Sequence, residues 1–176
     1  MPLVSLNLAL EKENLLILRE KQKRLVSNLE ITPIAELGSQ KRVTLLDTDE
    51  FRLYKYQREN SKQKEALLMV YSLINRSDIV DLQEDRSLVK GLMEEGFDVY
   101  LVEWKEPGSG NENQGLDDYI GDYLERCIDK VLTDQDTDKV NLLGICQGGT
   151  FCIAHTALMP ERVGRLILTV TPVDFK

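Results

Sequence analysis

The segment at residues 140–149 limits the possible folds of this chain more than any other part of the sequence. It reads Val-Asn-Leu-Leu-Gly-Ile-Cys-Gln-Gly-Gly, an apolar run followed by a glycine-rich turn and the start of a helix. A buried strand that passes into a helix within a few residues is typical of an α/β sheet, where helices connect parallel strands. We therefore predict a strand over residues 140–143 and a helix that begins near Gly148.

The same segment places Gly144, Cys146 and Gly148 at the spacing of a nucleophile elbow, with cysteine where serine usually stands. Side chains at the two glycine positions are expected to collide in so tight a turn. The Cys146 sulfur would then lie above the sheet edge at a helix N-terminus, whose partial positive charge favours the thiolate. The backbone N–H of Gln147 would point to where an oxyanion forms. The alternative is a buried structural cysteine in a glycine-rich turn.

Apolar runs and helical patterns alternate through most of the chain after Lys41. This alternation predicts an α/β fold with a mostly parallel sheet and helices on both faces. Two runs, at 42–46 and 51–56, are joined by a short polar turn and predict an antiparallel hairpin before that sheet. The other predicted strands cover residues 66–74, 97–102, 140–143 and 165–170.

Two further helices are expected between these strands. Asp85 is predicted to cap a helix that runs to about Glu95 and is ended by Gly96. A longer helix is predicted over residues 116–132, after a loop rich in Gly, Asn and Pro. Cys127 within that helix is interpreted as a small core residue.

Residues 1–31 are rich in leucine and in charge, with no Gly or Pro after Pro2. The leucines recur at heptad-like spacing on one face, which predicts an amphipathic helix. The pairs Thr32-Pro33 and Gly38-Ser39 then mark a turn or linker. We predict an N-terminal helix with its linker at residues 1–40 and the α/β core at 41–176. The helix either packs on its own domain or docks to a partner.

Composition excludes several classes of function. The net charge of −8 supplies no general attraction for nucleic acid, so no nucleic-acid partner is expected. The apolar runs are too short to cross a bilayer. The N-terminus lacks the features of a secretory signal, and three cysteines do not form a disulfide framework. We therefore expect a reduced, cytoplasmic protein.

No metal or cofactor site is predicted. Asp134, Asp136 and Asp138 imitate the start of a calcium loop, but the sixth and twelfth positions are Lys139 and Ile145 rather than Gly and Glu. Cys152 and His155 lie on the helix after the elbow and are interpreted as core residues, not as metal ligands beside Cys146.

His155 is the only histidine of the chain, and a cysteine nucleophile normally needs an imidazole base within hydrogen-bond reach. Nine residues of mostly helical chain separate it from Cys146, which corresponds to about 10 Å or more. The sequence therefore predicts a nucleophile without a base.

Several segments resemble the polyhydroxyalkanoate synthases, and most closely PhaC, the short catalytic subunit of the two-subunit class III enzymes. One is the Gly-Ile-Cys-Gln-Gly-Gly stretch at residues 144–149, which is similar to the lipase-box-like motif of that family. The other segments that carry the resemblance lie at residues 71–76, 80–89, 98–104 and 169–175. The resemblance extends over residues 41–176 and is weak in the N-terminal helix.

The resemblance implies an α/β-hydrolase-like fold and the polymerisation of (R)-3-hydroxyacyl-CoA, 3-hydroxybutyryl-CoA among them, into storage polyester. Cys146 would carry the growing chain as a thioester, and Ile74 and Asn75 would stand where the fold supplies a second oxyanion donor. The partners implied are a PhaE-type or PhaR-type subunit, a second catalytic subunit in a homodimer, and the granule surface.

Members of that family continue past the Thr-Pro-Val-Asp-Phe-Lys stretch at residues 171–176 with a cap region, further core strands, and the catalytic Asp and His. We therefore expect this chain to correspond to the N-terminal half of a synthase and to be inactive alone. Two other hypotheses stay open. One is a cysteine hydrolase of the thioesterase or dienelactone-hydrolase type, and the other is a non-catalytic module that binds a partner.

Overall fold

Eight strands are present in the computed structural model, which describes residues 19–21, 23, 38–58, 65–106 and 114–174. They are β1 Arg42–Asp47, β2 Phe51–Tyr56, β3 Ala66–Val70, β4 Asp81–Gln83, β5 Arg86–Ser87, β6 Asp98–Trp104, β7 Val140–Ile145 and β8 Val163–Thr169. Six of them form one sheet in the order β1-β2-β6-β3-β7-β8, and β4 and β5 form a separate ribbon.

The pairing within the six-stranded sheet confirms the predicted hairpin and the mostly parallel sheet. Strands β1 and β2 form an antiparallel hairpin, and β2 is also antiparallel to β6. From there the sheet is parallel, because β3 pairs in parallel with both β6 and β7, and β7 pairs in parallel with β8. Each parallel connection passes over a face of the sheet, as such connections must.

Three α-helices cover the two faces of the sheet: α1 Leu88–Glu94, α2 Leu124–Gln135 and α3 Gln147–Leu158. Because successive side chains of a strand point to opposite faces, β3 contributes to two cores. Leu67 and Met69 belong to the core cluster that contains Val89 of α1. Leu68 and Val70 belong to the cluster that contains residues of α2 and α3. All five of these side chains are fully buried.

Strand β3 ends at Val70, so the prediction of a strand as far as residue 74 is wrong. Beyond Val70 the backbone bonds to side chains instead of to a neighbouring strand. Trp104 Nε1 donates to the Tyr71 carbonyl at 3.0 Å, and the Leu73 N–H donates to Gln147 Oε1 at 3.4 Å. The run therefore leaves the sheet as a loop that is buried only at Tyr71 and Ser72.

The predicted helix cap at Asp85 is also wrong. Helix α1 begins at Leu88, and its cap is Ser87, whose hydroxyl accepts from the Lys90 N–H at 2.9 Å. Asp85 lies in the turn of the short β4–β5 ribbon, which the sequence pattern did not predict, and it accepts from Gln83 Nε2. The predicted stop at Gly96 is confirmed by its φ of +100°, a conformation that glycine adopts without strain.

The helix predicted over residues 116–132 contains a π-helical turn, Asp118–Tyr123, before α2. It then continues to Gln135 and ends at Asp136, which has a φ of +50°. The last strand spans Val163–Thr169, slightly earlier than predicted, and Val170 leaves it with a φ of +45°.

The chain divides into two units, Met1–Glu36 and Leu37–Lys176. In the first unit, residues 19–21 and 23 are helical. Lys23 Nζ lies 3.5 Å from Glu20 Oε1. The leucine face predicted for residues 1–31 lies outside the described residues and stays a prediction. Among the helices that are described, none combines the length and the apolar character needed to cross a membrane.

Replacement of the observed cap should destabilise the second unit, whereas replacement of the predicted cap should not. We expect Ser87→Ala to lower the free energy of unfolding by about 1 kcal/mol, because the Lys90 N–H loses its acceptor. The matched change Asp85→Ala should stay within about 0.5 kcal/mol of the unaltered chain, as surface substitutions usually do. Urea denaturation followed by circular dichroism measures both values. A larger loss for Asp85→Ala would contradict the assignment of the cap.

Candidate active site

Cys146 occupies the turn between β7 and α3 in a strained backbone conformation. Its φ is +55° and its ψ is −130°, a combination that a non-glycine residue adopts only where its surroundings enforce it. The Cys146 N–H donates to the Thr169 carbonyl of β8 at 3.1 Å, and the Cys146 carbonyl accepts from the Gly149 N–H at 2.9 Å. These bonds on both sides hold the half-buried thiol in the predicted elbow.

The glycines of the elbow are required by close backbone contacts. A Cβ on Gly148 would overlap the carbonyl of Val70 and approach the Tyr71 oxygen to 2.6 Å. A Cβ on Gly144 would overlap the backbone of Gly149, with its nitrogen 3.0 Å away. The Gly148 carbonyl oxygen also lies 3.2 Å from that Cβ. The expected collision between side chains at positions 144 and 148 stays a prediction. Each glycine makes room for a different neighbouring segment.

Gly149 has the same requirement, which the sequence analysis missed. A Cβ on Gly149 would lie 2.6 Å from Thr171 Cγ2 and 2.8 Å from Thr171 Cβ. The adjacent Thr150 hydroxyl also donates to the Pro172 carbonyl at 2.9 Å. The start of α3 therefore packs against the segment that follows β8, and the consecutive glycines at 148 and 149 were the available signal.

Gln147 is the first residue of α3, where backbone N–H groups have no partner within the helix. This position agrees with the predicted role of its N–H as an oxyanion donor. Its side chain has a second function that was not predicted. Gln147 Oε1 accepts from the Leu73 N–H at 3.4 Å and lies 3.5 Å from the buried Ser72 hydroxyl, so it fixes the loop after β3 beside the elbow.

Ile74 and Asn75 lie in that loop, which is the region predicted to supply the second oxyanion donor. The Ile74 N–H donates to the Ser72 hydroxyl at 3.2 Å, so it could serve an oxyanion only by leaving that oxygen. The Ile74 side chain is 86% exposed. The role of these two residues as oxyanion donors stays a prediction.

A cavity of about 680 Å³ opens beside this loop, at the ends of β3 and β6. It is lined by residues 72–77, residues 103–106, Arg52 and Tyr119. Crevices at the carboxyl ends of parallel strands are the usual ligand sites of α/β sheets. Cys146 is not among the lining residues, and the cavity adjoins the elbow through Ser72 and Leu73.

The charges around the cavity are compensated. Arg52 Nε lies 3.0 Å from Asp47 Oδ2, and Arg52 Nη1 lies 3.6 Å from Glu103 Oε2. Lys105 Nζ lies 2.5 Å from Asp47 Oδ1. Hydrogen bonds from Lys105 and Arg52 hold the pKa of the Asp47 carboxyl below its usual range. The aromatic faces of Trp104 and Tyr119 complete the wall, with ring centroids 5.4 Å apart. The cavity therefore offers aromatic and neutralised polar surface, not a strong positive field.

The other two cysteines are buried in the helices, as predicted. Cys127 of α2 and Cys152 of α3 have no exposed surface. Burial raises the pKa of the Cys152 thiol to about 12 and also raises the pKa of the Cys127 thiol far above its ordinary value. Both thiols are therefore protonated and inaccessible near neutral pH.

His155 is 1% exposed and is engaged away from the elbow. Its Nδ1 lies 3.0 Å from the Ile120 carbonyl, and its Nε2 lies 3.1 Å from Glu125 Oε2. These contacts agree with the interpretation of His155 as a core residue. Among the described residues, no group of three His, Cys, Asp or Glu side chains is placed to hold a metal ion.

A sheet of this topology, with a strained cysteine in the strand-to-helix turn, defines a class of protein. A family model of the alpha/beta hydrolase fold matches residues 65–175. The chain belongs to that family.

Within this class, the chain is similar to proteins named poly(3-hydroxyalkanoate) polymerase subunit PhaC. It is 43% identical to the PhaC of Allochromatium vinosum and 40% identical to that of Thiocystis violacea, over 86% of this chain in both cases. The PhaC of Synechocystis is 46% identical over 62% of this chain. These similarities confirm the family resemblance. The chain spans 43% of the length of the first two relatives.

Solved structures support the fold alone, since their sequence identity to this chain is low. MGS-MChE2, an alpha/beta hydrolase enzyme from a lagoon sediment metagenome, matches with a TM-score of 0.52 at 15% identity, over 74% of this chain and 52% of that one. Epoxide hydrolase A from Mycobacterium thermoresistibile matches with a TM-score of 0.51 at 15% identity. The match covers 71% of this chain and 37% of the epoxide hydrolase chain.

Alanine at position 148 should disrupt the packing of α3 on β3. We expect Gly148→Ala to destabilise the fold by about 1–3 kcal/mol, because the new methyl group would displace two backbone carbonyls. Gly91 of α1 is a matched control, since nothing lies within 4 Å of a Cβ built there. Gly91→Ala should leave stability unchanged or raise it by up to about 1 kcal/mol. Thermal or urea unfolding distinguishes the two, and equal stabilities would contradict the glycine requirement.

Cys146 should be the first thiol to react with an alkylating agent. The other two thiols are fully buried and protonated, whereas Cys146 is half-buried at a helix N-terminus. Brief iodoacetamide treatment followed by peptide mass mapping should locate the label on Cys146, and Cys146→Ser should abolish fast labelling. Earlier labelling of Cys127 or Cys152 in the folded protein would contradict the elbow assignment.

Proposed function

We propose that this chain supplies the nucleophile-bearing part of a polyhydroxyalkanoate synthase, in which Cys146 carries the acyl chain as a thioester. The observation that carries the proposal is the strained Cys146 at the first turn of α3, in a chain 40–46% identical to PhaC subunits. The substrate we propose is (R)-3-hydroxyacyl-CoA, with 3-hydroxybutyryl-CoA as the first to test. No cofactor is needed, because the CoA thioester itself is the activated group.

In the proposed first step, the Cys146 sulfur attacks the thioester carbonyl of the substrate. A new thioester forms on Cys146, the bond to CoA breaks, and the Cys146 proton leaves with CoA as its thiol. The Gln147 N–H at the start of α3 would stabilise the tetrahedral oxyanion, and the loop after β3 would supply the second donor. In the second step, the 3-hydroxyl of one acyl group attacks a Cys-bound acyl group, which forms the ester bond and frees a thiol.

Both steps need proton transfer, and the contacts of His155 do not provide it at Cys146. The imidazole is bound to Ile120 and Glu125, nine residues along the helix from the nucleophile. General-base assistance is typically worth about 10²–10⁴ in rate. We therefore propose that two groups are supplied from outside these 176 residues. They are the base for the Cys146 thiol and the carboxylate that activates the 3-hydroxyl.

We further propose that the chain acts with a PhaE-type or PhaR-type subunit, as a homodimer, on the surface of polyester granules in the cytoplasm. The relatives named above are described as polymerase subunits, which supports a partner chain. The predicted leucine face within residues 1–31 is the candidate surface for docking.

A cysteine hydrolase is the second candidate function. It is supported by the fold, because the solved structures with similar folds include an α/β hydrolase and an epoxide hydrolase. A hydrolase would transfer the acyl group from Cys146 to water, and the two functions therefore differ in the acceptor of the second step.

Incubation of the purified chain with 3-hydroxybutyryl-CoA separates these functions. We expect slow acylation of Cys146, at most one acyl group per chain, with an equal amount of CoA released and no polymer. Intact mass spectrometry measures the acylation of Cys146, and a thiol assay on the small-molecule fraction measures the released CoA. Cys146→Ala is the control and should show neither acylation nor CoA release.

Three other outcomes would overturn parts of the proposal. Continuous polymer formation by the chain alone would show that it contains a base for Cys146. Continuous release of free 3-hydroxybutyrate would favour the hydrolase. Absence of any reaction at Cys146, together with stable binding of a PhaE-type subunit, would favour a non-catalytic module.

A further inference from the structure

His155 lies in a polar cluster that the proposed chemistry does not use. The cluster joins α3 to α2 and to the 3₁₀ turn Pro160–Arg162. Glu125 of α2 lies between two basic groups, with Oε2 near His155 Nε2 and Oε1 in contact with Arg162. Arg162 also contacts the carboxylate of Asp129.

Both nitrogens of the His155 ring face oxygen atoms. A backbone carbonyl can only accept a hydrogen bond, so Nδ1, at 3.0 Å from the Ile120 oxygen, must carry a proton. Nε2 lies 3.1 Å from the Glu125 carboxylate. Within the described part of the chain, neither Nε2 nor Glu125 Oε2 has an aligned hydrogen bond, to each other or to any other group.

Glu125 is paired with Arg162, which also contacts the exposed carboxylate of Asp129. The contact that ties the imidazole to another element is therefore the Nδ1–H bond to the Ile120 carbonyl.

The carbonyl that His155 contacts belongs to the π-helical turn Asp118–Tyr123. Such turns are rare and are often found at functional sites. This one carries Tyr119, which lines the cavity beside the elbow. The Tyr119 ring stacks on Phe151 of α3 at 6.0 Å and meets Trp104 edge-on at 5.4 Å.

We propose that His155 is a positioning residue that holds the π-helical turn, and with it the Tyr119 wall of the cavity. The imidazole of α3 donates from Nδ1 to the Ile120 carbonyl, next to Tyr119, while Glu125 lies beside the other ring nitrogen. One helix would therefore have Cys146 at its N-cap and the support for the cavity wall near its last turn.

The proposed bond can be measured directly, because this chain contains one histidine. Imidazole ¹⁵N NMR of the tag-free, full chain should show a proton on Nδ1, the nitrogen that faces the Ile120 carbonyl. A ring whose only proton lies on Nε2 would overturn the proposed bond.

Two substitutions at position 155 test the positioning role, because one keeps a hydrogen-bond donor and the other keeps the filled volume. Asn at position 155 retains a donor near the place of Nδ1 but leaves a void, whereas Leu fills the space without a donor. We expect His155→Leu to accelerate amide hydrogen exchange at Leu124, whose N–H bonds to the Tyr119 carbonyl across the π turn, by roughly tenfold or more. His155→Asn should stay closer to the unaltered chain.

Fluorescence of Trp104, the single tryptophan, gives a second readout of the Tyr119 contact. Emission should shift to longer wavelength in His155→Leu and stay near the original in His155→Asn. Thr156→Val, a change at the next residue of α3, is the matched control and should move neither signal. Faster exchange at Leu124 in His155→Asn than in His155→Leu would show that His155 only fills space. Unchanged exchange in both variants would overturn the positioning role. If His155→Leu does not fold, His155→Gln, whose amide lies near the place of Nε2 instead of Nδ1, should give faster exchange at Leu124 than His155→Asn, and equal exchange in these two variants contradicts the role. None of these measurements depends on synthase activity, so the proposed function can fail or stand separately.

Discussion

The contact on which the site depends is the close approach of the first turn of α3 to the end of β3. The helix can begin immediately after β7 only because Gly148 lets its backbone lie against the carbonyls of Val70 and Tyr71. That approach brings the Gln147 side chain to the loop after β3. It also leaves Cys146 as the residue that must take up the strained dihedral angles. The position of the thiol is therefore a consequence of backbone packing, and the glycines are its cause.

The same contact connects the Cys146 elbow to the cavity. Ser72 and Leu73 contact Gln147 and also line the cavity. The Trp104 indole donates to the Tyr71 carbonyl, one residue before them. The loop after β3 is thus held by α3 on one side and by β6 on the other. A ligand in the cavity would therefore contact the same loop that Gln147 holds beside the elbow.

The sequence predicted the parts of the fold that depend on local periodicity, and it missed those that depend on tertiary partners. The elbow, the hairpin and the parallel order follow from apolar runs, glycine spacing and alternation. The end of β3 at Val70 does not, because residues 71–73 remain apolar or small and only the Trp104 and Gln147 side chains end the ladder. The prediction of a cap at Asp85 failed for a similar reason: a two-residue strand ends at Ser87, and so short a ribbon has no detectable period. Gly149 was visible as a glycine, but its cause, Thr171, lies 22 residues away.

The position of His155 shows why the single imidazole of this chain does not serve the thiol of the elbow. An imidazole that served Cys146 would have to be exposed at the carboxyl ends of the strands, free to accept and release a proton. His155 is instead buried, and its Nδ1–H donates to the Ile120 carbonyl of the π-helical turn, so release of that proton would break the contact. A proton that holds structure is poorly suited to transfer. The start of α3 keeps Cys146 half-buried in a strained backbone conformation, whereas the imidazole near the other end of the helix is withdrawn into the core.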